Sequence, residues 1–244
     1  MRVFRNLAAA LFIISIPVAL LTTNIRFVAN EGRVYRYAID EFGAVGASGI
    51  ERDELLRAGA ELRGYFNNEA ERVTIRVQDP GGESLLFTPR ETDHLVDVKD
   101  RFRLLNRVQE LSVLYALVYV AGVVLWAREV SPRRLAIQVT SGAALTLALV
   151  GGIGAVGMAG FDTAWEDFHT LIFSNDFWRL DPNTHHLIQM FPLDFWQSIV
   201  FFIGLVAVSE AALLLVGAAI YLGVTNRSPD DGRLTSLYRS AEGG

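Results

Sequence analysis

The sequence predicts a membrane all-α bundle: four transmembrane helices, with a small extracytoplasmic α+β domain between the first and second. Three observations carry this. Four apolar stretches, roughly residues 7–25, 111–127, 135–158 and 199–224, have the ~20-residue length that crosses a ~30 Å hydrocarbon core. A polar, charge-dense segment, residues 26–107, separates the first two. Arginines cluster in alternate flanks. Charged residues make up 20% of the chain and mean hydropathy is only +0.30, averages a soluble protein shares, so their segregation along the chain decides the class.

The first span lies within residues 1–25, behind Arg2 and Arg5. That start resembles a signal peptide, but Leu21-Thr22-Thr23-Asn24-Ile25 offers no small-residue exit, so a retained helix is expected. Residues 26–107 form the α+β domain. Ile50 to Asn67 has helical spacing, with Leu55, Leu56, Leu62, Tyr65 and Phe66 available for one face. Val73 to Val77 alternates like a strand, Asp79-Pro80-Gly81-Gly82 is turn chemistry, and Ser84 to Phe87 is the returning strand. Thr88-Pro89-Arg90-Glu91 is a capping box with proline at the first helical position. Nothing after it breaks a helix before the second span (108–128), so one continuous helix is expected, with His94 above the bilayer between Glu91 and Asp97.

The third span is residues 135–158, in which Gly151, Gly152, Gly154 and Gly157 predict close helix packing or a thinning end. A loop of aromatic and histidine residues, 159–196, follows. Asp162 or Thr163 is positioned to cap a short helix bearing Trp165, Phe168, His169, Ile172 and Phe173, and so aromatic a loop should lie at the headgroups or under the domain. The fourth span is 197–224, with Glu210 near its middle, where a carboxylate usually faces the bundle interior and bonds to it. Gln138, Thr140, Ser141 and Thr146 of span three are the expected partners. The tail 225–244 reads as disordered.

Arg2 and Arg5, Arg128, Arg133 and Arg134, and Arg227, Arg233 and Arg239 mark the retained side; the loop 159–196 holds Arg179 against six acidic residues. Both termini are therefore expected in the cytoplasm and both long loops outside, in the cell membrane. Trp126 and Trp196 fit an aromatic belt.

A net charge of −5 excludes a basic nucleic-acid face. The absence of cysteine removes disulfides and thiolate nucleophiles. There is no G-x-S-x-G elbow and no HExxH, and adjacent His185 and His186 diverge on any regular backbone, so no metal or cofactor is expected.

All four histidines, His94, His169, His185 and His186, fall on one predicted side of the membrane. Imidazole moves protons near neutral pH, and a carboxylate such as Asp97 can orient it as a general base toward an amine or water attacking a lipid ester. The same residues also admit interfacial histidines satisfied by their neighbours, in a non-enzymatic membrane sensor or accessory protein whose domain binds a partner.

Two blocks, His94-Leu-Val-Asp97-Val-Lys99 before span two and Phe168-His169-Thr-Leu-Ile-Phe-Ser-Asn175-Asp176-Phe-Trp178-Arg-Leu-Asp181-Pro182 before span four, resemble the DUF1461 family of bacterial integral membrane proteins. That family includes the lipoprotein intramolecular transacylase, and the likeness runs over essentially the whole chain. It implies a membrane acyltransferase that moves the sn-2 acyl chain of a diacylglyceryl-cysteine lipoprotein to the cysteine α-amino group. Lipid-modified lipoproteins and membrane lipid would be its partners. By this likeness His169 and His94 are the essential histidines, His169 as base, with Asn175, Asp176 and Asp181 matching the pattern. Lys99, Asn175 or backbone N–H groups are the candidate oxyanion donors.

Overall fold

The computed structural model describes residues 2–79, 82–125 and 132–225. Trp126, the Pro80-Gly81 turn centre and the tail from 226 onward lie outside the described residues. In chain order the elements are α1 (Arg2–Asn30), α2 (Gly32–Glu41), α3 (Ala44–Ser48), α4 (Arg52–Phe66), β1 (Arg76–Asp79), β2 (Gly82–Leu85), α5 (Pro89–Leu125), α6 (Pro132–Ala159), α7 (Phe161–Ile172), α8 (His186–Met190) and α9 (Leu193–Thr225). The fold is thus mostly helical with one two-stranded antiparallel hairpin. Helices α1, α5, α6 and α9 are long and apolar enough to cross a membrane.

Helix α1 is the hub of the spans, with α5, α6 and α9 all packed on it and α9 also lying along α6. Helix α5 starts as the capping box predicts: Thr88 N–H donates to Glu91 Oε2 at 2.7 Å, and Glu91 N–H to Thr88 Oγ1 at 3.4 Å. Its 37 residues measure about 55 Å, well beyond a ~30 Å core. The charged upper half, with Asp93, Asp97, Lys99, Asp100, Arg101, Arg103 and Arg107, therefore stands clear of the hydrocarbon. His94 belongs to that part.

The small domain is built around Tyr35, Ala38 and Ile39 of α2 and Leu55, Ala58 and Leu62 of α4, closed by Val77, Leu86 and Leu95. Its core also takes Met190, Phe191, Phe195 and Ile199 from the far end of the chain, so the aromatic loop packs under the domain. Helices α2 and α3 are additional to the elements expected from the sequence; Tyr35, Ala38 and Ile39 have the i, i+3, i+4 spacing of a buried helical face. Gly43 and Gly49 bracket α3 with φ of 72° and 70°, the left-handed backbone that glycine adopts most easily.

Several expectations need correction. The strands pair closer to the turn than predicted, Arg76 with Leu85 through Asp79 with Gly82, and Val73 to Ile75 only leads in. Helix α7 begins at Phe161 on an extended Gly160, with no side-chain cap from Asp162 or Thr163. Side chains at Gly151, Gly152 and Gly154 would meet nothing within 4 Å, so these three are not close-packing positions, whereas a Cβ at Gly157 would make ordinary contact with Phe161 and Phe201 at 3.6 and 3.8 Å. The close-packing role falls to Gly142, where a Cβ would lie 2.5 Å from Ile16 Cδ1 and 3.0 Å from the Ile13 carbonyl oxygen.

Candidate active site

His94 and His169, far apart in sequence, meet where the spans join the domain, with ring centroids 6.1 Å apart. The capped start of α5 sets the place of His94. Helix α7 carries His169, and Gly160 alone links it to the end of α6. Both imidazoles are buried, 8% exposed each.

An aromatic wall encloses them. His169 lies 4.8 Å from Trp165, 5.3 Å from Phe168, 5.7 Å from Phe173 and 4.9 Å from Trp178, between ring centroids. Phe173 also meets the His94 ring edge-on at 5.2 Å. The His169 Nδ1 lies 2.7 Å from the Trp165 carbonyl oxygen. That oxygen can only accept, so Nδ1 carries the proton and Nε2 is left with its lone pair free. His94 Nδ1 is the one buried side-chain nitrogen or oxygen without a hydrogen-bond partner among the described residues. Burial, then the neighbouring His169, pushes the His94 pKa down to about 4. Burial also lowers that of His169, against the pull of the Trp165 carbonyl. Both rings are therefore neutral at pH 7.

The segment after α7 is held over this pair by polar straps. Asn175 Nδ2 donates to Asp97 Oδ2 at 2.8 Å, while Asn175 Oδ1 accepts from the Phe177 N–H at 3.1 Å. Trp178 Nε1 donates to the Asn175 carbonyl at 3.0 Å, fixing the indole against His169. Arg90 donates to the carbonyls of Asp176 and Arg179 and lies 3.4 Å from the Asp176 carboxylate. Arg179 ties back to Glu166 of α7 at 2.8 Å. The aromatics of the wall were legible as an aromatic helix and loop, but their enclosure of the two imidazoles was not, and neither was the role of Arg90; an arginine in the second position of a capped helix gives no signal of what it will grip.

Other predicted site residues lie elsewhere or act differently. Asp97 has Asn175 as its hydrogen-bond partner rather than His94, so it anchors the loop and does not orient the imidazole. Lys99 is 2% exposed and turned away: Nζ donates to Asn68 Oδ1 at 3.0 Å and to the Ala70 carbonyl at 2.7 Å, 4.0 Å from the Tyr65 ring centroid. It is a post of the domain and supplies nothing to the histidines. Asp181 accepts from Asn183, and its backbone N–H donates to His185 Nδ1 at 3.0 Å. His186 Nδ1 bonds Gln189 Oε1 at 2.7 Å. Glu210 bonds Asn24 of α1 at 2.8 Å, not a residue of span three, because Thr140, Ser141 and Thr146 donate to carbonyls of their own helix and Gln138 pairs with Tyr119. Among the described residues no three His, Asp or Glu side chains converge as metal ligands would.

The sequence profile of the lipoprotein intramolecular transacylase family matches residues 10–196, most of the chain and both histidine blocks. The chain belongs to that family. The structure superposes on the membrane-integral lipoprotein intramolecular transacylase of Bacillus cereus with a TM-score of 0.77 at 20% identity, covering 94% of this chain and 100% of that one. Two forms of the same Bacillus cereus protein, with one histidine replaced by arginine or by alanine, superpose with a TM-score of 0.72 and 19% identity each. They cover 92% and 91% of this chain and 94% and 96% of theirs. At that identity the likeness establishes the fold. No curated protein sequence matches this chain. Family and fold together make this a multi-pass membrane protein.

Proposed function

We propose that this chain transfers the sn-2 acyl group of a diacylglyceryl-cysteine lipoprotein to the α-amino nitrogen of the same cysteine, leaving an N-acylated lyso-lipoprotein. The observation that carries the proposal is the buried imidazole pair at the foot of the domain, one ring with a free lone pair and the other with an unpartnered nitrogen. Family membership narrows the chemistry to acyl transfer on lipoproteins.

The α-ammonium group, with an ordinary pKa of about 7.7–8.0, must lose a proton before it attacks. His169 Nε2 takes the proton of the attacking amine. The nitrogen bonds to the ester carbonyl carbon, the carbon–oxygen bond to the glycerol breaks, and the imidazolium returns its proton to the departing glycerol oxygen. His94, kept neutral by burial, offers an N–H to the carbonyl oxygen as it turns anionic, where a second cation beside protonated His169 would be opposed. Because both reacting groups belong to one molecule, the larger task is holding them in attacking geometry, and the wall of Trp165, Phe168, Phe173 and Trp178 supplies it. Arg90, Asp97, Asn175, Asp176 and Arg179 hold that wall in place. The arginine asymmetry supports cytoplasmic termini, a domain outside the cell membrane and access from the outer leaflet.

The test replaces His169 and His94 singly by alanine and follows lipoprotein N-terminal peptides by mass spectrometry. The N-acyl lyso product should disappear in both. Its persistence in both would leave the pair without a catalytic role. Histidine blocks lying apart would favour a non-enzymatic sensor; the 6.1 Å between ring centroids speaks for one site.

A further inference from the structure

The two imidazoles are covered: each is 8% exposed, and Trp178 lies over His169 at 4.9 Å between ring centroids, tilted by 30°. An amine and an ester cannot both meet His169 Nε2 while the ring stays covered. Some part of the cover has to move, and the way each part is fastened singles one out.

Trp165 and Phe168 stand on α7 itself, and Phe173 is the residue that ends it. Trp178 belongs to residues 173–185, between α7 and α8, which form neither helix nor strand. The backbone hydrogen bonds of that segment are local. Phe173 N–H donates to the His169 carbonyl, Arg179 N–H to that of Asp176, and the Thr184 and His185 N–H groups to that of Asp181. Among the described residues no backbone bond ties residues 174–184 to a helix or strand. The fastenings are side chains instead. Arg90 of α5 grips the Asp176 and Arg179 carbonyls, Asp97 of α5 takes Asn175, Glu166 of α7 takes Arg179, and Gln189 of α8 donates to the Pro182 carbonyl. Polar side-chain contacts near water are individually weak and open locally at low cost, whereas the packed helices on either side do not. The segment also has the length at which structureless loops become uncommon unless they serve as lids or binding loops.

We propose that residues 173–185 are a lid over the histidine pair, latched to α5 by Arg90, which lifts Trp178 off His169 to admit a lipid-anchored ester and closes before transfer. The inference rests on the proposed acyl shift, and it makes Arg90 a positioning residue that acts through Trp178. With the lid shut, Trp178 Nε1 is held on the Asn175 carbonyl at 3.0 Å, completing the wall and keeping water from the reacting atoms.

The test treats the full chain in lipid nanodiscs with diethyl pyrocarbonate, which modifies neutral imidazole where it is uncovered, and follows each histidine by mass spectrometry. His169 should react more slowly than the half-buried His185. Arg90→Ala should quicken His169 about tenfold, as loss of a charge-assisted grip implies, and leave His185 unchanged. An unchanged His169 rate overturns the proposal. Because the chain has no cysteine, Asp97→Cys with Asn175→Cys places its only two thiols where side chains now touch at 2.8 Å. A short reducible bridge between them should halt transfer, and reductant should restore it. Undiminished transfer in the bridged protein overturns the proposal, since substrate then enters past a shut lid. Should the unbridged pair be inactive, the reagent decides in place of turnover: the bridge should protect His169, and an unprotected His169 overturns the proposal. Wild-type protein that transfers no acyl group would refute the acyl shift, while the modification rates would still decide the lid.

Discussion

Glu91 and Lys99 flank His94 on α5 and are more thoroughly buried than it is, at 0% and 2% exposed, yet their surroundings could hardly differ more. Glu91 spends one carboxylate oxygen on the Thr88 N–H and the other on the Leu187 N–H, both at 2.7 Å, and so joins the start of α5 to α8. Lys99 is held by two oxygens and an aromatic face. His94, between them, keeps a buried nitrogen with no partner and a depressed pKa. An unmet buried polar atom costs about 1–3 kcal/mol, and a fold that satisfies Glu91 and Lys99 this fully while leaving one imidazole nitrogen open is the contrast on which the proposed catalytic role of His94 rests.

The comparison can be broken most sharply at the histidines. His169→Ala should cut transfer by about 10²–10⁴-fold, the range of a lost general base, with the melting temperature in detergent little changed. A large drop in stability with modest loss of turnover would put His169 with Glu91, as a structural residue. Next in size, Glu91→Ala should destabilise the protein by about 2–3 kcal/mol in thermal unfolding, because a cap is lost and the Thr88 and Leu187 N–H groups are stranded together.

A third measurement uses pH. The folded His94 titrates near 4, whereas the unfolded side chain titrates near its ordinary 6.5. As pH falls through 6.5 the unfolded chain gains a proton that the folded one refuses, so this stability is full above 6.5 and drains away toward 4, by at most about 3 kcal/mol. His169 adds in the same direction. Melting curves between those limits should flatten in His94→Phe; an unchanged slope would place the histidine in solvent. Smallest is Lys99→Met, which strands Asn68 Oδ1 and the Ala70 carbonyl. It should cost about 1–2 kcal/mol of stability while leaving the pH dependence of transfer untouched. A shifted pH profile would return Lys99 to the active site.

What could be read along the chain was whatever depends on neighbours in sequence. Thr88-Pro89-Arg90-Glu91 states its own cap, and Phe161 to Ile172 shows its own period. What could not be read was which remote group each polar side chain would meet. Lys99 sits in the same motif block as His94, yet its five-residue offset turns it to another face of α5, toward Asn68 and Ala70. Asp97 lay within reach of His94 along the helix and was taken instead by Asn175. Glu210 meets Asn24 of α1 rather than a partner on span three, because hydroxyls of span three satisfy themselves on their own backbone.

Sequence alone determined the four candidate spans, the capped start of the helix that carries His94 and the helical block that carries His169, since hydrophobic length, capping and periodicity are local properties. Only the tertiary structure decided that the two rings meet, which nitrogen is free and which carboxylate anchors the loop. Those depend on contacts between segments distant in sequence, and residue spacing carries no information about which distant side chains close packing will bring together.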